Sequence, residues 1–347
     1  MDNRENGSTE FPRAAQAATT MQAMKQFTAE PLFEPDSDEL RFLPEGPRVL
    51  RQFPSATAVL GWVAIQHGAE RRDGSLNLLE LATRSNTSLP LPGRPGFFVE
   101  TTQPGVLLVG LERRLIVLDA RTGTVQETGI VVSDDERVII NDGIAIPGGL
   151  LFGTKHLAFS EPLAAVYHFD AATRQLRTVV GSQICSNGKH FVHSDNGATL
   201  IDIDSTPRTI RRYKFDSGLR KILEQSLVVP PDSLPAIPDG LRASPDGSSI
   251  VVAYYNPAEI GAGLAQEIRL SDGAVVTEWL LPGSPRVTCP EFAFVDGKVR
   301  IVFTTAVEGM PESTRRIAPN AGSIFWAESP FSALPEPPPL FPVEKIL

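Results

Sequence analysis

Three short polar tripeptides recur along this chain at roughly 45–50-residue spacing: Asn141-Asp142-Gly143, Ser186-Asn187-Gly188 and Pro238-Asp239-Gly240. Each leads into an apolar segment, and turns such as Asp119-Ala120-Arg121-Thr122-Gly123 close the units. A period of that length marks the blades of a β-propeller or a similar array, in which each unit packs on its neighbours. Such an array carries the Asn or Asp at the head of each unit to one end of a central channel. Side chains far apart in sequence then converge, and three or four oxygen donors make a site for a hard divalent cation.

The segments between these tripeptides read as strands. Residues 59–65 and 75–81 are split by the turn Arg72-Asp73-Gly74, and a second unit contains 96–99, 105–109 and 114–118. Residues 149–153 and 165–169 belong to a third unit, 187–227 to a fourth, 239–281 to a fifth, and 300–304 with 323–326 to a sixth. Long helical periodicity is absent, which sets a βαβ architecture aside. The expectation is an all-β chain, a six-bladed β-propeller with four-stranded blades, over residues 39–334. Residues 1–38 read as an N-terminal arm, partly disordered, with one short helix over residues 14–24. Residues 335–347 form a proline-rich tail, expected to run extended over the surface because proline cannot sit inside a sheet.

A net charge of −9 argues against nucleic acid as a partner, since nothing here would neutralise a run of phosphates. Cys185 and Cys289 are the two cysteines, too few for a disulfide framework, and a reducing compartment is the simpler assumption. No stretch approaches the ~18–20 apolar residues of a membrane span. The acidic N-terminus lacks the basic start and apolar core of a signal peptide, and Lys345-Ile346-Leu347 is not a peroxisomal signal. The chain therefore reads as soluble and cytoplasmic, acting on a small molecule away from membranes, with its oligomeric state open. No Gly-x-Ser-x-Gly elbow or phosphate-cradling loop occurs.

Five segments, in order, resemble the regucalcin (senescence marker protein)/gluconolactonase family of six-bladed propellers. They are Leu43-Pro44-Glu45-Gly46-Pro47, Asn141-Asp142-Gly143 with Leu151-Phe152-Gly153-Thr154, Ser186-Asn187-Gly188 with Ile203-Asp204-Ser205, Pro238-Asp239-Gly240 with Val252-Ala253-Tyr254, and Thr304-Thr305-Ala306 with Ala321-Gly322-Ser323. Asn-Gly and Asp-Gly are also commonplace turns. The resemblance implies one divalent metal on Glu45, Asn187 and Asp239: Ca²⁺ first, with Mg²⁺, Mn²⁺ or Zn²⁺ as alternatives. Two carboxylates and an amide, all oxygen donors, suit a hard cation. It also implies lactone hydrolysis, with Asp239 as general base or as the group that orients water, and Asn141 as a substrate contact.

Two departures bear on the substrate. Members of that family place an Arg two residues before the Asn-Asp-Gly asparagine, where this chain has Ile139; Arg137 lies on the same strand face, one pleat (about 6–7 Å) away. After Gly-Thr, where acidic residues would hold sugar hydroxyls, this chain has Lys155-His156. Arg137, Lys155 and His156 thus join the candidate substrate contacts, and a less hydroxylated or anionic cyclic ester is expected over neutral aldonolactones. Two other readings stand beside this one: a phosphotriesterase-like hydrolase on the same one-metal propeller, and a metal-binding or ligand-sensing propeller without turnover. His190 and His193 form no recognisable constellation with other histidines.

Overall fold

The second strand of each blade carries the longest apolar run, and packing explains why. Val59–Ile65, Val106–Leu111 and Gly149–His156 are buried at every residue, because both of their faces are covered by neighbouring blades. Outermost strands read differently: Ile222–Leu227 is exposed along its whole length. Burial thus falls from the channel outwards. A computed structural model of the chain describes residues 24–55, 57–67, 72–194 and 196–347.

Six antiparallel sheets follow one another as blades. Their innermost strands are Pro44–Leu50, Pro95–Glu100, Val138–Ile146, Ser186–Ser194, Ile237–Ala243 and Val287–Val295, in blades 1 to 6. Each inner strand touches the next, and that of blade 6 touches blade 1, so the ring closes around a channel. The architecture is the expected six-bladed β-propeller.

Both chain ends differ from expectation. Residues 25–33, assigned from sequence to the arm, lie in two strands. Glu30–Phe33 pairs with Ile324–Glu328 and supplies the fourth strand of blade 6. Lys25–Thr28 adds a fifth, parallel strand to the edge of blade 5 beside Val275–Pro282. A five-residue helix, Asp38–Phe42, then leads into blade 1. The helix expected over residues 14–24 falls almost wholly outside the described residues. The tail is extended and exposed only at first. Phe341, Val343 and Ile346 are buried in the core between blades 2 and 3, and the Phe341 amide donates to Glu100 O at 2.9 Å.

Every inner strand carries a register shift near the same level. The shifts fall between Glu45 and Arg48, Pro95 and Phe97, Ile140 and Gly143, Ser186 and Lys189, Pro238 and Leu241, and Val287 and Cys289. These are β-bulges, which leave residues unpaired and turn their side chains out of the pleat. The recurrent tripeptides are therefore not hairpin turns but bulges inside the strands that line the channel.

One long connection matters for the site. Residues 306–323, between Lys298–Thr305 and Ile324–Glu328, carry the helix Glu312–Ile317 over a small core of Val307, Met310, Ala318 and Ala321. Arg41 Nε donates to Ala321 O at 3.0 Å, and Val307 N to Phe42 O at 3.0 Å, fastening this loop to the start of blade 1.

Candidate functional site

Glu45, Asn141, Asn187 and Asp239 stand at or beside the bulges of blades 1, 3, 4 and 5, and the three from blades 3, 4 and 5 are buried. Local hydrogen bonds set their orientation. Asn187 Nδ2 donates to Ser205 Oγ at 3.1 Å, and that hydroxyl donates to Pro238 O of blade 5 at 2.7 Å. The bond uses the donor end of the amide and leaves Oδ1 as its acceptor. Asn141 Nδ2 is spent on Ser186 O at 3.0 Å, across the blade 3–4 seam. The Gly46 amide donates to Glu45 Oε2 at 3.0 Å. Asp239 Oδ1, by contrast, is buried without a hydrogen-bond partner, as is Asp142 Oδ2.

The carboxyls at these bulges act on one another. Burial, with the Asp142 carboxyl adding to it, pushes Glu45 up to about 8. Burial and then Glu45 drive Asp239 well above the usual carboxylate range, against Lys155. Burial raises Asp142 too, opposed by Lys189. Glu308, on the long loop of blade 6, is raised by burial against the pull of Lys155 and Arg286, and it adds to the crowding felt by Glu45 and Asp239. Four carboxyls from blades 1, 3, 5 and 6 thus bear on one another.

Lys155 is the cation common to Glu45, Asp239 and Glu308. It is buried, with Nζ 3.1 Å from His67 Nε2 and 5.8 Å from the Phe159 ring centre. On its other side His67 Nδ1 lies 3.5 Å from Arg94 Nη1. Burial and these two cations push His67 down to about 2, so it is a neutral imidazole that accepts from Lys155. Arg94 in turn holds Glu112 through bonds of 2.8 and 2.7 Å. Further along the inner strands, Glu291 of blade 6 pairs with Arg242 at 3.2 Å and with Arg48 at 3.7 Å. Arg48 also reaches Gly143 O at 3.4 Å, so these side chains brace the channel across blades 1, 3, 5 and 6.

The residues fit a hard cation. Two carboxylates and an amide oxygen are all hard donors, and Asp239 holds a buried oxygen that nothing else satisfies. No group of three or more His, Cys, Asp and Glu side chains in ligating arrangement occurs among the described residues. A cation here therefore depends on the Asn187 amide beside Glu45 and Asp239. Burial pushes the Cys185 thiol up to about 12 and the Cys289 thiol far up as well, which removes both as nucleophiles at neutral pH.

The SMP-30/gluconolactonase/LRE-like region, as a family model, matches residues 43–307, from the strand bearing Glu45 to the loop bearing Glu308. The chain belongs to this family. It is 28% identical over 282 residues to an L-arabinolactonase of Azospirillum brasilense, covering 79% of this chain and 85% of that one. Among solved structures, a calcium-binding regucalcin of Agrobacterium tumefaciens superposes with a TM-score of 0.71 at 20% identity, over 91% of this chain and 100% of the other. A gluconolactonase of Xanthomonas campestris gives 0.58 at 14% identity, over 89% of this chain and 99% of the other. At these identities the two structures speak to the fold.

In this SMP-30/gluconolactonase/LRE-like propeller the sequence-derived candidates divide. Glu45, Asp239 and Lys155 share one electrostatic cluster; Asn187 is tied to the blade 5 bulge through Ser205, and Asn141 is bonded across the blade 3–4 seam. Arg137 does not join them: its side chain is 55% exposed and held by Asp135 at 2.8 Å and Glu161 at 3.3 Å. Arg137 is one pleat from Ile139 along the strand, but two nearer carboxylates take its charge. His156 is buried, yet its Nδ1 accepts from the Ser160 and Glu161 amides at 3.3 and 3.0 Å, so it fixes the turn that follows Lys155. His190 lines a groove of about 570 Å³ between blades 4 and 5, and His193 stacks on Phe191. The residues that sequence reasoning missed are Glu308, His67 and Asp142. Asp142 sat inside a motif already in hand; Glu308 and His67 lie in connections with no periodic signal.

Proposed function

We propose that this protein is a metal-dependent hydrolase of lactones or similar cyclic esters, acting on a small molecule in a reducing, cytoplasmic setting. Membership of a family with lactonase relatives supports the reaction class, and two buried free thiols suit the compartment. One observation carries the metal dependence: Asp239 Oδ1 is buried, unpaired and crowded by Glu45. A carboxyl in that position ionises only with a cation beside it, and Oδ1 is free to meet one.

Glu45, Asn187 and Asp239 would hold the ion, which when bound supplies an electrophile for the lactone carbonyl and its developing oxyanion. Asp239 receives the proton of the attacking water. Asn141, held by Ser186 O, positions the ring at the blade 3–4 side. Lys155, bonded to His67 and surrounded by acidic neighbours, presents its ammonium to the substrate.

The test is turnover of a lactone panel by protein stripped with chelator and then resupplied with Ca²⁺, Mg²⁺, Mn²⁺ or Zn²⁺. The reading expects activity to vanish on stripping and return with at least one ion. Turnover of phosphotriesters alone, or binding of an ion without turnover of any lactone, would replace it with one of the other two readings.

A further inference from the structure

The mouth of the channel holds one acidic group that the metal set does not use. Glu308 sits on the 306–323 loop, and its backbone is fixed rather than its side chain: its carbonyl accepts from Tyr255 Oη at 2.9 Å and from Arg286 Nη1. Its carboxyl has no hydrogen-bond or ion-pair partner among the described residues. It is near enough to Glu45, Asp239 and Tyr255 to act on all three, and Lys155 and Arg286 act on it from beyond ion-pair distance. Lys155 stands on blade 3, across the ring from blade 6. Its ammonium has protons to spare after the one given to His67.

We propose that Glu308 and Lys155 form a two-sided clamp for neutral ring hydroxyls, making the blade 6 loop the specificity element of the site. This rests on the lactonase reading above. A hydroxyl is both donor and acceptor, so a free carboxyl oxygen and a free ammonium proton on opposite walls are its complementary partners. An anionic substituent fits worse, because it would meet Glu45, Asp239 and Glu308, which already share Lys155 as counter-charge, with the Asp142 carboxyl beside them. His156, the other group expected to attract an anion, is spent on the Ser160 and Glu161 amides. The clamp therefore reverses the preference expected from the sequence.

The experiment compares kcat/KM for an aldonolactone and for the unsubstituted lactone of the same ring size, in wild type, Glu308→Gln, Glu308→Ala and Lys155→Gln. A buried site that loses a charged partner for a substrate hydroxyl discriminates by roughly 10- to 100-fold less. The aldonolactone-to-plain-lactone ratio should fall by that factor in Glu308→Ala, mostly through KM, and by less in Glu308→Gln, whose amide still accepts. Calorimetric titration with Ca²⁺ or Mn²⁺ alone should give an affinity for Glu308→Gln within threefold of wild type. An unchanged ratio overturns the clamp, and so does a tenfold loss of ion affinity, which would make Glu308 a ligand. A wild type that hydrolyses no lactone removes the lactonase reading and the clamp with it. An active wild type with a silent Glu308→Ala removes the clamp alone.

Discussion

Asp239 combines two properties that rarely coexist in a protein at rest: burial and an unsatisfied charge-bearing oxygen. Replacing it with Asn removes the proposed base and one of two ligand charges while keeping the shape. Asp239→Asn should lower kcat/KM on lactones by at least ~10²-fold, as loss of a general base does. It should also abolish the rise in melting temperature that the ion gives to wild type, with the fold intact by circular dichroism. Activity within threefold of wild type would defeat the mechanism. Arg137→Ala, in contrast, should change kcat/KM less than twofold, since its charge is held by Asp135 and Glu161. His67 offers a test by pH. Its folded-state pKa, about 2, lies below the ~6.5 of an unfolded histidine, so the unfolded chain gains the proton first. Its contribution to stability is full above pH ~6.5 and is lost as pH falls, by up to about 1.4 kcal/mol per unit. His67→Gln should flatten the acid side of the stability curve between pH 6.5 and 4, read by denaturant midpoints. A parallel decline in mutant and wild type would show that His67 protonates freely. At this scale the motifs marked the bulges that carry Asn141, Asn187 and Asp239, because Asn and Asp before Gly recur at fixed spacing, whereas a metal on Glu45, Asn187 and Asp239 was implied by the family resemblance. Arg137 was misplaced for want of the competing partner Glu161, and Glu308 was missed because a loop has no period.

The bulge is the element on which the site depends, and glycine is what permits it. A Cβ on Gly188 would lie 2.5 Å from the Leu241 amide nitrogen, and one on Gly240 2.5 Å from Cys289 Sγ. Neither residue has positive φ; the demand is for close approach between the inner strands of adjacent blades. Gly188→Ala, against rigid backbone, should cost about 1–3 kcal/mol and widen the blade 4–5 seam. Gly240→Ala, which would also meet Cys289 Cβ at 2.6 Å and its backbone Cα at 2.8 Å, should cost a similar amount in urea unfolding; an unchanged midpoint in either variant would mean that the seam yields. The strands themselves were legible because blades bury their middle strands on both faces, which produces unbroken apolar runs. Lys25–Thr28 and Glu30–Phe33 were not legible. At four residues each, mixed in polarity, they become strands only by pairing with edges formed more than two hundred residues later.

Across the whole molecule, stability depends on the docking of residues 25–33 and 341–346. Phe341 is fully buried, stacks on Phe169 at 6.3 Å between centroids, and ties the tail to blade 2. Phe341→Ala should cost about 3–5 kcal/mol, in the range for a buried Phe, seen as a shift in denaturant midpoint without a change in slope. A loss under 1 kcal/mol would mean that the tail is an ornament of the surface, as its prolines suggested.

The closing strand of blade 6 has a consequence for how the molecule comes into being. Trp326 Nε1 donates to Glu30 Oε1 at 2.8 Å across 296 residues of chain. Joining ends that far apart costs about 5 kcal/mol of loop entropy by the logarithmic rule. Synthesis delivers Glu30 long before its partner, so that strand must wait, unpaired, while five blades emerge. Glu45 and Asp239 stand on blades 1 and 5, either side of that late seam. A nascent chain that stalls before residue 324 therefore lacks the strand that joins blade 6 to residues 30–33, and the ring between Glu45 and Asp239 stays unclosed.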